Sequence, residues 1–141
     1  PLARVGPPEL PEAGVLLGWP AARTRDEMAA QARELLSCGP DAVLIKGGHF
    51  EAGGSPDLLL TKEREHWFEA DRIDSMNTHG TGCSLSSALA ANLARGMNMV
   101  AAATAAKSFI TEAIRHADEL AVGSGHGPTH HFHAMWKNSR G

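Results

Sequence analysis

The chain has 141 residues, 43% of them hydrophobic and 21% charged, the profile of one globular domain with a core of its own. Its net charge of −3 offers no basic footprint for nucleic acid, and no apolar run approaches the roughly 18 residues that a membrane span needs. Two cysteines, Cys38 and Cys83, make no disulfide framework, and no signal peptide is read at the start, so a reduced cytoplasmic setting is expected.

Pro7-Pro8-Glu9-Leu10-Pro11-Glu12 is a rigid entry to a short helix. Pro11 suits its first turn, Glu12 suits its positive end, and Gly18 closes it. Thr24-Arg25-Asp26-Glu27 is a capping-box pattern. It opens a helix with Met28, Ala32, Leu35 and Leu36 on one face, ending at Gly39. The apolar run from Ala42 to Lys46 stops at Gly47-Gly48 and reads as a strand buried on both faces, as in a parallel sheet. Asp57 to Thr61 and His66 to Ile73 read as two strands, with the charged Lys62-Glu63-Arg64-Glu65 as the hairpin tip.

A helix is expected from about Cys83 to Arg95, striped by Leu85, Leu89 and Leu93 and stopped by Gly96. A second, alanine-rich helix is expected from Met99 to Leu120. Gly123 to His133 reads as a loop, and its His126, His130, His131 and His133 match no zinc spacing. No internal repeat and no long linker divides the chain, so residues 1–141 read as a single unit. Helices alternating with strands argue for an α/β layer architecture.

The chemistry concentrates in Asn77-Thr78-His79-Gly80-Thr81-Gly82-Cys83, a glycine-rich turn feeding directly into a helix. Two glycines let backbone amides converge. The helix start then favours a negative charge in the turn. Cys83 stands at the mouth of that anion hole, as a reactive thiol or as a small packed residue. The whole string from Asn77 to Gly96 resembles the phosphoryl-transfer loop of the hydroxymethylpyrimidine and phosphomethylpyrimidine kinases of thiamine biosynthesis, in the ribokinase-like superfamily. Most of that superfamily carries Asp at the last position of the loop; the vitamin-pyrimidine branch has Cys there, as this chain does.

The resemblance implies a three-layer α/β/α fold, of which this is the C-terminal part, with a mostly parallel sheet and a β-hairpin. It runs from near Val5 to about Trp136 and matches only the C-terminal half of a family member, so the chain, which begins at Pro1, is expected to be part of something longer. It also implies ATP and Mg²⁺ as cofactors, a small-molecule pyrimidine substrate, and a homodimer in the full-length protein. Cys83 takes the base-like role. Thr78, Gly80, Thr81 and Gly82 surround the nucleotide phosphates, with the amides of the last three serving the β and γ groups.

Lys46 fits the family's Ile-Lys-Gly-Gly-His pattern and would face the triphosphate; as a bare residue it is a common strand-end lysine. Lys107 sits in a matching Ala-Ala-Lys-Ser context and would approach the phosphates, or simply snorkel from the edge of the arc formed by Ala103, Ile110 and Ile114. Glu12 would be the Mg²⁺-side acid, or a capping residue. The superfamily places Asn three residues before it, and here Glu9 stands in that position. A pyridoxine or pyridoxal kinase of the same branch, and an anion-binding fragment without catalysis, remain open from the sequence.

Overall fold

The structure, a computed structural model, describes residues 5–47, 56–69, 80–120 and 127–136. It divides into two compact units, Pro1–Arg72 and Ile73–Gly141.

The first unit holds β1 (Val5–Gly6), α1 (Leu10–Leu17), α2 (Arg25–Ser37), β2 (Ala42–Ile45), β3 (Asp57–Thr61) and β4 (Glu65–Phe68). Helix α1 starts where Pro11 fits its first turn and stops at Gly18, whose φ of 69° only glycine adopts freely. The capping box of α2 forms as expected: the Thr24 hydroxyl accepts from the Glu27 amide, and the Glu27 carboxylate accepts from the Thr24 amide. Met28, Ala29 and Ala32 of α2 pack with Leu10 and Ala13 of α1 against Val43, Ile45, Leu58 and Leu60 of the sheet. Those four sheet residues share one face because side chains alternate along a strand, and the register pairs Val43 with Leu60 and Ile45 with Leu58. On α1, Val15 and Leu16 point out and are exposed.

The strand order is β1-β2-β3-β4. Strand β2 is buried along its whole length, as expected. It runs parallel to β1 but antiparallel to β3, and β3 runs antiparallel to β4. This mixed sheet corrects the mostly parallel one expected of these residues. The chain turns back between Ile45 and Asp57, too short a passage for the crossover helix that parallel neighbours need. The hairpin β3–β4 forms where it was expected, with the Thr61 hydroxyl accepting from the amides of Glu63 and Arg64 across its tip. Residues 70–73, the expected end of the second hairpin strand, lie outside the described residues.

The second unit is helical among its described residues: α3 (Thr81–Ala94), α4 (Met99–Arg115), a 3-10 turn at Ala117–Glu119, and a short α5 (His133–Trp136). Leu85 and Leu89 of α3 are buried, as are Ala102, Ala103, Ala106, Ile110 and Ala113 of α4. The small residues let the two helices pack closely. Gly96, at φ 86°, ends α3 as expected, and the Asn98 side chain caps α4 by accepting from the Ala101 amide. Helix α4 ends at Arg115, five residues short of the expected Leu120. The Ala113 carbonyl accepts from the His130 amide at 2.9 Å instead of continuing the ladder, and the next turn tightens to the 3-10 pattern.

Candidate functional site

In the first unit, two elements meet at the end of β2. Glu9 forms an isolated parallel bridge with Lys46, and the Lys46 amide donates to the Pro8 carbonyl at 2.9 Å. The strand therefore delivers Lys46 to the start of α1. There Lys46 Nζ donates to Glu9 Oε1 at 3.0 Å. The lysine side chain is 13% exposed and that of Glu9 39%, so the lysine is sheltered while the carboxylate keeps contact with water.

Glu9 is also the N-cap of α1. Its side chain accepts from the Glu12 amide, while Glu12 Oε2 accepts from the Glu9 amide at 2.8 Å. The expectation of a capping role for Glu12 is met in this form. Its carboxylate stands exposed at the positive end of the helix, beside that of Glu9. Hard carboxylate oxygens in this number fit Mg²⁺, which takes few protein ligands and keeps several waters.

Gly47 of the Lys-Gly-Gly-His pattern, together with Asp57, which the sequence did not single out, fixes the chain just past Lys46. The Gly47 amide donates to the buried Asp57 Oδ1 at 3.0 Å. A Cβ at Gly47 would lie 2.0 Å from the Pro56 carbonyl oxygen, so only glycine fits. The remainder of the Gly-Gly-His pattern, Gly48 and His49, lies outside the described residues.

In the second unit, α3 opens on Gly80 at φ 82°, a left-handed N-cap with no side chain to cover the helix start. The first bond of the helical ladder runs from the Ser84 amide to the Gly80 carbonyl at 2.9 Å. The amides of Thr81, Gly82 and Cys83 precede it and face the end of the helix. The helix begins two residues earlier than expected, which places Cys83 inside its first turn. Thr78, with Asn77 and His79, lies outside the described residues.

Cys83 is a free, exposed thiol, not a packed one. It borders a cavity of about 610 Å³ shared with Ser84, Ser87, Asn92, Phe109 and His131. Lys107, half-buried on α4, is not part of that lining. It stands two residues from Ala105 and from Phe109, which line the cavity, and so points to nearly the opposite side of α4. Ala103 and Ile110 beside it are buried, as the expected arc requires.

The histidine segment organises this unit. His131 Nε2 lies 2.6 Å from Ser84 Oγ and 3.1 Å from Thr129 Oγ1, and its ring stacks on Phe109. His130 is buried edge-on to Trp136, with Nε2 unpartnered among the described residues. His133 stacks on His116, whose Nδ1 meets Glu119 Oε1 at 2.5 Å. A hydrogen bond from Arg115, aided by the charges of Arg115, His116 and His133, holds the Glu112 carboxyl below its ordinary value against a smaller desolvation effect. Among the described residues no group of three or more His, Cys, Asp or Glu is placed to hold a metal. His126 lies outside the described residues.

The family model described as phosphomethylpyrimidine kinase matches residues 1–130. The hydroxymethylpyrimidine/phosphomethylpyrimidine kinase of Salmonella typhimurium is 53% identical over 129 residues, covering 92% of this chain and 48% of that protein. Pyridoxal kinase of Bacillus subtilis, solved as an ADP complex, superposes with a TM-score of 0.86 at 36% identity, covering 95% of this chain and 50% of that one. Phosphomethylpyrimidine kinase of Clostridium difficile gives a TM-score of 0.67 at 35% identity, over 81% of this chain and 44% of that one. The α/β, ribokinase-like class expected from the sequence is the class of these structures. The chain spans about half the length of the curated relatives it matches. It belongs to the phosphomethylpyrimidine kinase family.

Proposed function

We propose that this chain forms the phosphoryl-transfer part of an ATP- and Mg²⁺-dependent kinase that phosphorylates hydroxymethylpyrimidine and its monophosphate. The observation that carries the reading is the start of α3, where a left-handed glycine opens the helix with no side chain of its own at the N-cap, close to an exposed Cys83. The pyrimidine kinases that match at 53% and 54% identity support the substrate, and the nucleotide complexes of related pyridoxal kinases support ATP.

In this reading the amides of Gly80, Thr81 and Gly82 hold the β and γ phosphates, with Thr78 in the same turn. Lys46, at the end of β2, and Lys107, on α4, are the two lysines proposed to contact nucleotide phosphates; the Lys107 side chain faces away from the cavity that Cys83 borders. Cys83 orients the acceptor hydroxyl and takes its proton. The hydroxyl oxygen bonds to the γ phosphorus, the bond from that phosphorus to the bridging oxygen breaks, and ADP leaves with the electron pair. Glu12 would be the residue that holds Mg²⁺, and the ion would supply charge neutralisation to the transferring group. Most of the rate then comes from positioning and charge, since misplacement by about 1 Å costs on the order of 100-fold.

The cytoplasm is the setting that goes with this chemistry. Among the described residues no helix is long and apolar enough to cross a membrane.

A second reading, a pyridoxine or pyridoxal kinase, draws on the TM-score of 0.86 to pyridoxal kinases. One assay separates the two. ADP release by the whole protein is followed with hydroxymethylpyrimidine, with its monophosphate, and with pyridoxine, each under ATP and Mg²⁺. We expect kcat/KM for the two pyrimidines to exceed that for pyridoxine by at least 100-fold. A preference for pyridoxine would replace the first reading by the second.

A further inference from the structure

Lys46 does not wait unpaired at the end of β2. Its ammonium is bonded to Glu9 at 3.0 Å, with the lysine side chain 13% exposed. The Glu9 side chain is 39% exposed, so water screens the pair in part, and the attraction exceeds that between two fully exposed charges. The pair is also fixed at both ends. The backbone bridge between Glu9 and Lys46 sets their spacing, and the Glu9 carboxylate is anchored by accepting from the Glu12 amide. A phosphate that is to use Lys46 must therefore compete with a carboxylate already in place.

We propose that Glu9 is a competitor built into the phosphate site: it holds Lys46 against the start of α1, and an incoming polyphosphate takes Lys46 from it. This rests on the reading of Lys46 as a phosphate ligand given above. Two consequences follow from the charges. Anion binding at this end of the sheet is weaker than a bare lysine would give. Neutralising Glu9 strengthens it, and does so through Lys46.

The experiment is a calorimetric titration of the whole protein with inorganic tripolyphosphate, without divalent cations. It compares wild type, Glu9→Gln, Lys46→Met and the double variant. Gln keeps one side-chain oxygen that can accept at Lys46 Nζ or at the helix start, at nearly the same size, while the charge is lost. Glu9→Gln is expected to bind about tenfold more tightly, the scale of one removed charge interaction. Lys46→Met is expected to bind at least tenfold more weakly. The double variant is expected to match Lys46→Met within about twofold, because the competitor has nothing left to hold.

Unchanged or weaker binding by Glu9→Gln, with Lys46→Met weakened, overturns the competitor and leaves Lys46 as a phosphate ligand. A gain from Glu9→Gln that persists in the Lys46→Met background also overturns it, since the effect would then be general repulsion of the anion. If Lys46→Met binds like wild type, the phosphate reading of Lys46 fails and the competitor fails with it. Should Glu9→Gln lose its fold by circular dichroism, Glu9→Asn, with a strongly favoured N-cap side chain, is read by the same outcomes.

Discussion

His131 Nε2 lies 2.6 Å from the hydroxyl of Ser84, in the first turn of the helix that carries Cys83. Forty-seven residues separate the two in sequence. The bond fastens the C-terminal segment to the turn on which the proposed chemistry depends, and Phe109 packs against the same imidazole.

Breaking that bond has a defined signature. His131→Ala and Ser84→Ala should each lower stability by about 1 kcal/mol, the net worth of one hydrogen bond. Their effects should not add, because each removes the same contact. Urea unfolding of the two single variants and the double variant checks this. A double variant destabilised by the sum of the singles would mean that the bond contributes nothing.

Gly47→Ala should be severely destabilising. The new methyl group would meet the Pro56 carbonyl at 2.0 Å, and relieving that clash pulls the Gly47 amide from the buried Asp57 carboxylate. A cost of more than about 2 kcal/mol is expected from this combination. Near-normal urea stability of the variant would show that the chain past Lys46 is laxer than its geometry.

The Glu112 carboxyl is held below its ordinary value of 4.5, first by its hydrogen bond from Arg115. A depressed value in the fold means stability that is present above the ordinary value and lost as pH falls through the depressed one. Glu112→Gln should therefore be slightly less stable than wild type near neutral pH and equal to it in strong acid. The pair is at the surface, so the difference should stay below about 1 kcal/mol and shrink with added salt. Thermal melts across that pH range, at low and high salt, test the sign.

Much of the local structure was legible because single residues decide it. Thr24 and Glu27 announce a capping box, Gly18 and Gly96 end helices at positive φ, and Ala42–Ile45 has no polar residue to show a wet face. The hairpin fixed the direction of β4 against β3, but the antiparallel pairing of β2 with β3 was not legible, since a run such as Leu58-Leu59-Leu60 is equally apolar in either direction. The end of α4 was hidden for a different reason. Residues 116–120 contain neither glycine nor proline, and it is the distant His130 amide that takes the Ala113 carbonyl. The site shows the same division. Gly80, Gly82 and Cys83 were singled out through the resemblance of the whole Asn77–Gly96 string, whereas the Glu9–Lys46 and Ser84–His131 pairs are made by the fold across 37 and 47 residues.

The central claim is that the turn opening α3 transfers a phosphoryl group with Cys83 as the group that receives the acceptor's proton. Single-turnover kinetics of Cys83→Ala in the whole protein, alongside its dissociation constant for ATP, test that most directly. Proton removal belongs to the transition state and not to nucleotide binding, so the account predicts a fall in the chemical step of at least 100-fold with ATP affinity changed by less than about twofold. A chemical step within a factor of about three of wild type would contradict it, and would return Cys83 to a bystander at the mouth of the cavity.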